Sequence, residues 1–184
     1  KQKLGAFNPD IVGISSMTPM VLSTMTAAEG AKEACPNATV VLGGPHATFM
    51  DREILTQEKS VDVVVRGEGE QTLLELTQRI TNQVGFNTVD GITYRHQGQI
   101  FQNPNRPYIQ NLDKLPFPAY KHFPLSKYRL FGKLFFPVIT SRGCPFQCSF
   151  CTSSRILGKQ YRARNPKNIG DELEMLKNEY HADS

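Results

Sequence analysis

The sequence has 184 residues, of which 39% are hydrophobic and 21% are charged, as in an ordinary soluble globular protein of one domain or two small ones. The net charge of +4, from 21 basic and 17 acidic residues, includes no long block of like charge, which argues against a nucleic-acid-binding arm. No apolar run approaches the ~20 residues of a membrane span, so we expect a cytoplasmic protein without nucleic acid or membrane among its partners.

The first part of the chain alternates short apolar runs with helical patterns. Three nearly continuous apolar runs predict buried β-strands, at 10–15, 39–44 and 61–67. Thr18 as N-cap and Pro19 as the first helical residue predict a helix that Pro36 ends. Further helices are expected at 49–57 and 73–84. This order predicts an α/β fold with a parallel sheet of the Rossmann or flavodoxin type, whose ligand lies beyond the carboxyl ends of the strands.

The middle of the chain changes character twice. Ile92 and Tyr94 alternate with polar residues, which predicts a β-hairpin at 91–103. Between Pro104 and Pro124, five prolines interleave with aromatic residues. This linker is too rich in proline for regular structure and too aromatic to be free of packing.

The last part of the chain contains a predicted strand, a cysteine-rich loop and a helix. The strand is expected at 134–141. Asn165 as N-cap and Pro166 as the first helical residue begin the helix, with Asp171 and Glu172 in its early turns. The predicted organisation has three parts, at 1–90, 91–130 and 131–184.

Three of the four cysteines share one loop, at Cys144, Cys148 and Cys151. Their spacing lets three sulfurs converge on one metal centre, while Cys35 is expected in the core. Structural zinc takes four ligands and iron-sulfur clusters usually take four cysteines, and no fourth ligand lies nearby. Three ligands on a 4Fe-4S cluster would leave one iron open for a substrate, which is the reading we favour. Zinc completed by another chain, and free or disulfide-linked cysteines, are the alternatives.

Two sets of motifs resemble one enzyme family. CPFQCSFC (144–151) resembles the cluster loop of radical S-adenosylmethionine enzymes, and 161–176 is similar to the segment that follows this loop in their cobalamin-dependent branch. Three stretches are similar to the strand ends of the cobalamin-binding domain in that branch: PDIVGISSMT (9–18), VVLGGPHAT (40–48) and VVRGEGEQT (64–72). The resemblance implies a partial cobalamin-binding domain, a hairpin and linker, and the first βα unit of a radical S-adenosylmethionine barrel.

The resemblance also implies roles for the cluster loop. Cys144, Cys148 and Cys151 would ligate three irons, and the fourth iron would bind S-adenosylmethionine, which is cleaved reductively to a 5′-deoxyadenosyl radical. Phe150 would pack near the adenine, or serve simply as an apolar residue under the loop. The implied partners are a small-molecule substrate and a reductant protein such as flavodoxin or ferredoxin.

For cobalamin, the resemblance points to polar and small residues at the strand ends. The implied contacts are Ser15, Ser16, Thr18, Gly43, Gly44 and Glu68. The glycines would let the backbone approach the nucleotide tail, and the hydroxyls would hydrogen-bond to it. Thr18 and Glu68 have helix capping as alternative roles. Because no Asp-x-His-x-x-Gly loop is present, His46 is expected to hydrogen-bond within its loop rather than to ligate cobalt.

The family resemblance leaves the reaction open. It implies methylation of unactivated carbon or phosphorus, or oxidative cyclisation as in the anaerobic magnesium-protoporphyrin monomethyl ester cyclase. We expect the chain to be a fragment that is inactive alone and able to self-associate. The alternative function is a non-catalytic cobalamin- or nucleotide-binding module with structural zinc in the cysteine loop.

Overall fold

The computed structural model describes residues 2–183, which divide into two compact units. The first unit ends at Tyr108 and the second begins at Ile109. Within the described residues, no helix has both the length and the apolar character needed to cross a membrane.

A five-stranded sheet forms the centre of the first unit. Its strands, in both chain and spatial order, are β1 (Ile11–Ser15), β2 (Thr39–Gly43), β3 (Val63–Val65), β4 (Ile92–His96) and β5 (Gln99–Gln102). The first three strands run parallel, and β4 and β5 continue the sheet in antiparallel fashion. The prediction of an α/β fold with a parallel sheet is confirmed.

Helices pack on both faces of this sheet. They are α1 (Gln2–Phe7), α2 (Val21–Ala34), α3 (Pro45–Phe49), α4 (Asp51–Gln57) and α5 (Glu70–Thr81). Along β2, Val40 packs in the same apolar cluster as Ala28 of α2, whereas Val41 packs in the cluster that contains Leu76 of α5. Adjacent strand residues point to opposite faces, so a continuous apolar run is what a sheet covered on both sides requires.

The predicted N-cap at Thr18 is wrong. Met17 has the extended backbone of a cap residue and precedes a short 3-10 turn, Thr18–Met20, after which α2 begins at Val21. Instead of capping, the Thr18 hydroxyl lies 3.2 Å from Nδ1 of His46. A hydrogen-bond partner on the neighbouring loop therefore replaces the local one.

The hairpin forms as predicted but belongs to the sheet. Gln97 and Gly98 both have positive φ, at 49° and 78°, as a tight two-residue hairpin turn requires. Strand β4 pairs with the edge of β3, and the compact unit continues to Tyr108 rather than ending at residue 90. Pairing with β4 satisfies the backbone groups that an open β3 edge would expose.

The second unit consists of short elements around one long helix. These are β6 (Arg129–Leu130), β7 (Lys133–Leu134), β8 (Ser141–Arg142), α6 (Ser153–Ile156), β9 (Arg162–Ala163) and α7 (Pro166–Tyr180). The prediction of one strand over 134–141 is wrong, because β7 ends at Leu134 and β8 begins at Ser141. Pro137 lies between them and has no N–H to donate to a sheet. The Asn165 cap is confirmed, since its side chain accepts a hydrogen bond from Lys167 N at 2.9 Å.

A buried carboxylate organises the second unit. Glu172 of α7 is 1% exposed and accepts a hydrogen bond of 2.9 Å from the Tyr120 hydroxyl. Its other oxygen pairs with Arg164, which also donates to the Ile139 carbonyl at 2.9 Å. The Tyr120 ring packs edge-on against Phe136 at 5.1 Å. This network fastens the proline-rich linker to the helix that follows the cysteine loop.

We expect Tyr120→Phe to lower the free energy of unfolding of the second unit by about 1–3 kcal/mol, because Glu172 would lose a buried hydrogen bond. Burial and Glu172 raise the pKa of Tyr120 to about 12. Since this lies above the ~10 of an unfolded tyrosine, the stabilisation is complete below pH ~10 and is lost as the pH rises through about 12. Urea unfolding of both proteins across that window checks this, and a difference independent of pH would contradict it.

Candidate functional site

The loops that follow β1, β2 and β3 meet at one edge of the sheet. Ser16 N donates to the Gly43 carbonyl at 2.8 Å, and His46 N donates to the Ser16 carbonyl at 3.1 Å. Gly67 N donates to the Thr48 hydroxyl at 3.1 Å. The edge that the sequence predicts to hold a ligand is therefore a connected and ordered surface.

Gly44 is the tightest point of this edge. Its φ is +94°, and an added Cβ would lie 2.8 Å from both Ser15 Oγ and the Ser16 carbonyl oxygen. Gly43 differs, because a Cβ there would meet only the Val65 carbonyl oxygen at an ordinary 3.9 Å. Of the two glycines, only Gly44 is required by its backbone conformation and by close approach.

Ser16 carries a buried hydroxyl without a hydrogen-bond partner in the described part of the chain. The residue is 0% exposed, and its Oγ makes no hydrogen bond. An unsatisfied buried hydroxyl is costly, so such groups call for an explanation such as a bound ligand. This unpartnered hydroxyl lies beside Gly44, and it would find a hydrogen-bond partner in the polar tail of a bound cofactor.

The other residues predicted to contact cobalamin lie around this point. Ser15 and Thr18 are exposed at the ends of β1 and of its following loop. Glu68 is 8% exposed and lies just before Gly69, the cap residue of α5. His46 hydrogen-bonds within the edge, as predicted.

Sequence reasoning missed Thr48. Its hydroxyl donates to the Gly44 carbonyl at 2.9 Å while accepting from Gly67 N, and so joins the loops after β2 and β3. The available signal was its position four residues after Gly44 in a short helix, where a threonine hydroxyl commonly bonds back to the preceding turn.

The cysteine loop lies in the second unit. Cys144 is half-buried, Cys148 and Cys151 are exposed, and all three are free thiols. Cys151 N donates to the Cys148 carbonyl at 3.1 Å, which makes the end of the loop a turn. Between residues 2 and 183, no three His, Cys, Asp or Glu side chains are arranged to hold a metal ion. The predicted convergence of the three sulfurs is thus not seen in this arrangement, although three adjacent thiols are the donor set that an iron-sulfur cluster uses.

The start of this loop is tightly fixed. Gly143 has a φ of +86°, and a Cβ there would lie 1.9 Å from the Gln160 carbonyl oxygen. Cys144 N donates to the Gly158 carbonyl at 3.0 Å. Only glycine fits at this turn, which places the first cysteine against the far end of the loop.

The environments of the remaining loop residues differ. A hydrogen bond with the Ser153 hydroxyl, at 3.4 Å, lowers the pKa of the Cys151 thiol below its ordinary value and so favours the thiolate that binds metals. Phe150 is 89% exposed, so it is not an ordinary core residue. Cys35 is 4% exposed, which confirms its assignment to the core.

One protein family matches the first part of the chain, and several relatives match nearly all of it. The B12 binding domain family matches residues 2–77. An uncharacterized methyltransferase of Pyrococcus horikoshii is 41% identical over 174 residues, covering 95% of this chain and 38% of that protein. The anaerobic magnesium-protoporphyrin IX monomethyl ester cyclase of Rubrivivax gelatinosus is 35% identical over 187 residues, covering 96% and 32% respectively. The cobalamin-dependent radical SAM methyltransferase TokK of Streptomyces tokunonensis is 28% identical over 92% of this chain and 26% of its own length.

Residues 2–77 match the B12 binding domain family, and nearly the whole chain is similar to a cobalamin-dependent radical S-adenosylmethionine enzyme. The family prediction is confirmed, and the chain spans only about a third of the length of these relatives.

Solved structures show the same fold. The methyltransferase TsrM of Kitasatospora setae, solved with tryptophan substrate and an S-adenosylmethionine analogue, superposes with a TM-score of 0.78 at 19% identity, covering 97% of this chain and 37% of that one. OxsB, solved with aqua-cobalamin and S-adenosylmethionine, superposes with a TM-score of 0.75 at 22% identity, covering 99% of this chain and 25% of the OxsB chain. At these identities the likeness concerns the fold shared with this family.

Proposed function

We propose that this chain carries the cobalamin-binding and cluster-binding parts of an enzyme that methylates carbon or oxidatively cyclises a tetrapyrrole-type substrate. The observation that carries the proposal is the orphaned Ser16 hydroxyl beside Gly44, within the residues that match the B12 binding domain. The named relatives include both methyltransferases and cyclases, so both reactions remain in the proposal.

The strand-end residues would hold the cofactor's tail. Gly44 lets the loop after β1 pack directly against the loop after β2, and the Ser16 hydroxyl beside it would donate to an acceptor on the tail. Ser15 and Thr18 would add exposed hydroxyls, and Gly43 at the end of β2 and Glu68 before α5 would complete the contacts to the tail.

In the second unit, Cys144, Cys148 and Cys151 would hold three irons, leaving the fourth for S-adenosylmethionine. The exposed ring of Phe150 would pack near the adenine. When bound, the cluster supplies the electron that cleaves S-adenosylmethionine, and cobalamin supplies a methyl group. A small-molecule substrate, a reductant protein such as flavodoxin or ferredoxin, and self-association of this chain belong to the same proposal, as does inactivity of this chain alone.

The rival function is a non-catalytic cobalamin- or nucleotide-binding module with structural zinc in the cysteine loop. Zinc also binds thiolates, but a structural zinc takes four ligands, so the fourth would have to come from another chain. Titration of the protein with hydroxocobalamin, followed by metal analysis after exposure to zinc or to iron and sulfide under anaerobic conditions, tests the two. We expect about one bound cobalamin per chain and iron-based absorbance; one tight zinc without iron would favour the rival.

Removal of the Ser16 hydroxyl should have opposite effects on cobalamin affinity and on the free energy of unfolding. We expect Ser16→Ala to weaken cobalamin binding about tenfold, because it removes one hydrogen bond to the ligand. The free energy of unfolding without cobalamin should stay equal or rise, since an unsatisfied buried hydroxyl is lost. Calorimetric titration and urea unfolding measure the two effects.

Ser60 supplies the matched control for Ser16→Ala. Its hydroxyl is also buried without a partner, but it precedes β3, at the opposite end of the strand from the site. Ser60→Ala should leave cobalamin affinity unchanged. Equal affinities of the Ser16→Ala variant and the wild type would contradict the assignment.

A further inference from the structure

Arg66 stands between the candidate cobalamin site and the hairpin. It directly follows β3 and is 8% exposed. Its backbone N–H donates to the Gly91 carbonyl at 2.8 Å, next to the start of β4. An arginine is rarely buried to this extent unless its guanidinium has specific partners.

The guanidinium group of Arg66 is held on all sides. It donates to Asn105 Oδ1 at 3.0 and 3.2 Å, to the Asn103 carbonyl at 2.6 Å, and to the Thr93 hydroxyl. It also pairs with Asp51 Oδ2 at 3.3 Å. The planar fork of arginine can make these contacts together, whereas the single ammonium of lysine cannot.

Asp51 connects the same hairpin to helix α4. Its Oδ2 accepts hydrogen bonds from the Thr93 hydroxyl and, at 2.8 Å, from Gln102 Nε2. The carboxylate that faces Arg66 is therefore itself bound to both β4 and β5. The network is complete within the first unit and lies largely outside residues 2–77, which match the B12 binding domain.

Gly67, the residue after Arg66, connects this network to the loop that follows β2 and contains Gly44, called the Gly44 loop below. Gly67 has a φ of +68° and donates its N–H to the Thr48 hydroxyl at 3.1 Å. Thr48 in turn donates to the Gly44 carbonyl at 2.9 Å. Arg66 therefore lies one residue before a backbone N–H that is connected through Thr48 to the loop containing Gly44.

We propose that Arg66 is a positioning residue for cobalamin binding, which holds the Gly67–Glu68 turn against the Gly44 loop through partners on the hairpin. This inference rests on the proposed function. A buried ion pair adds little stability compared with apolar packing. The role assigned to this network is therefore to fix the geometry of the Gly67–Glu68 turn. The hairpin thus contributes to the cobalamin site, although none of the residues assigned to contact the cofactor lies on it.

The test uses Arg66→Lys in the complete chain, with Arg95→Lys as matched control. Arg95 lies on β4 and donates to the Leu55 and Glu58 carbonyls, at the end of the sheet opposite the site. We expect Arg66→Lys to weaken hydroxocobalamin binding by the folded protein at least tenfold and to speed amide hydrogen exchange at Gly67 and Glu68. Arg95→Lys should lower stability to urea without changing affinity or exchange at these two residues.

A gentler variant keeps the test decisive if Arg66→Lys does not fold. Asn105→Ala removes two of the contacts from an exposed position and leaves the Arg66–Asp51 pair intact. It should weaken cobalamin binding about threefold. Wild-type affinity and exchange in both folded variants, or in Asn105→Ala alone if the other is unfolded, would overturn the inference. Absence of cobalamin binding by the wild type would instead overturn the proposed function, while exchange at Gly67 would still report whether Arg66 holds the turn.

Discussion

Gly44→Ala is expected to weaken cobalamin binding at least about 100-fold and to lower the free energy of unfolding by about 2–4 kcal/mol. The new Cβ would lie 2.8 Å from Ser15 Oγ and from the Ser16 carbonyl oxygen, and 3.0 Å from Ser16 N. The backbone must also keep a φ of +94°, which disfavours alanine. Relief of this clash would push the loops after β1 and β2 apart and disturb the Ser16 hydroxyl. Hydroxocobalamin titration and urea unfolding measure both effects.

Gly13→Ala is the matched control for Gly44→Ala. Gly13 lies in β1, and a Cβ there would meet nothing within 4 Å. The same substitution at this position should leave both cobalamin affinity and stability near wild type. If Gly44→Ala bound cobalamin as tightly as Gly13→Ala, the edge formed by the Gly44 loop would not be the binding site.

Cys148→Ala is expected to reduce the iron bound after anaerobic reconstitution to the background level. The two remaining cysteines of the loop could not hold a cluster that already has fewer than the usual four thiolates. Since Cys148 is exposed, loss of its side chain should change the free energy of unfolding of the metal-free protein by no more than about 0.5 kcal/mol. Iron and sulfide analysis, with unfolding of the metal-free protein, gives both quantities.

Cys35→Ala is the control for the loss of a thiol. Cys35 is 4% exposed and its sulfur lies 3.4 Å from the Leu4 carbonyl oxygen in the first unit. This variant should bind as much iron as the wild type. Equal iron content in Cys148→Ala and the wild type would show that the loop is not the cluster site.

Much of the first unit could be predicted because its strands are covered on both faces. A buried parallel strand such as β2 needs apolar residues at consecutive positions, and this pattern is visible in the sequence itself. The strand ends then follow, since parallel strands place their carboxyl ends at one edge. This is why Gly44 and Ser16 could be assigned to a ligand site, whereas the orphaned state of the Ser16 hydroxyl required the packing around it.

The features that sequence reasoning missed depend on contacts between distant residues. The pairing of β4 with β3 follows from an edge left open in three dimensions, which a hairpin pattern alone does not reveal. Arg66 and Asp51 are charged residues that ordinarily lie at the surface, and nothing in their neighbours along the chain indicates that they are buried together. Likewise, Thr18 loses its expected capping role to His46, which lies 28 positions away.

The most direct test of the account is whether the three-cysteine loop binds a cluster with one iron left for S-adenosylmethionine. The measurement is electron paramagnetic resonance of the anaerobically reconstituted and reduced protein, with and without S-adenosylmethionine, alongside iron and sulfide analysis. We predict about four irons per chain and a spectrum that changes when S-adenosylmethionine is added. Protein that binds no iron after every opportunity to assemble a cluster, or that binds a single zinc instead, would contradict the account.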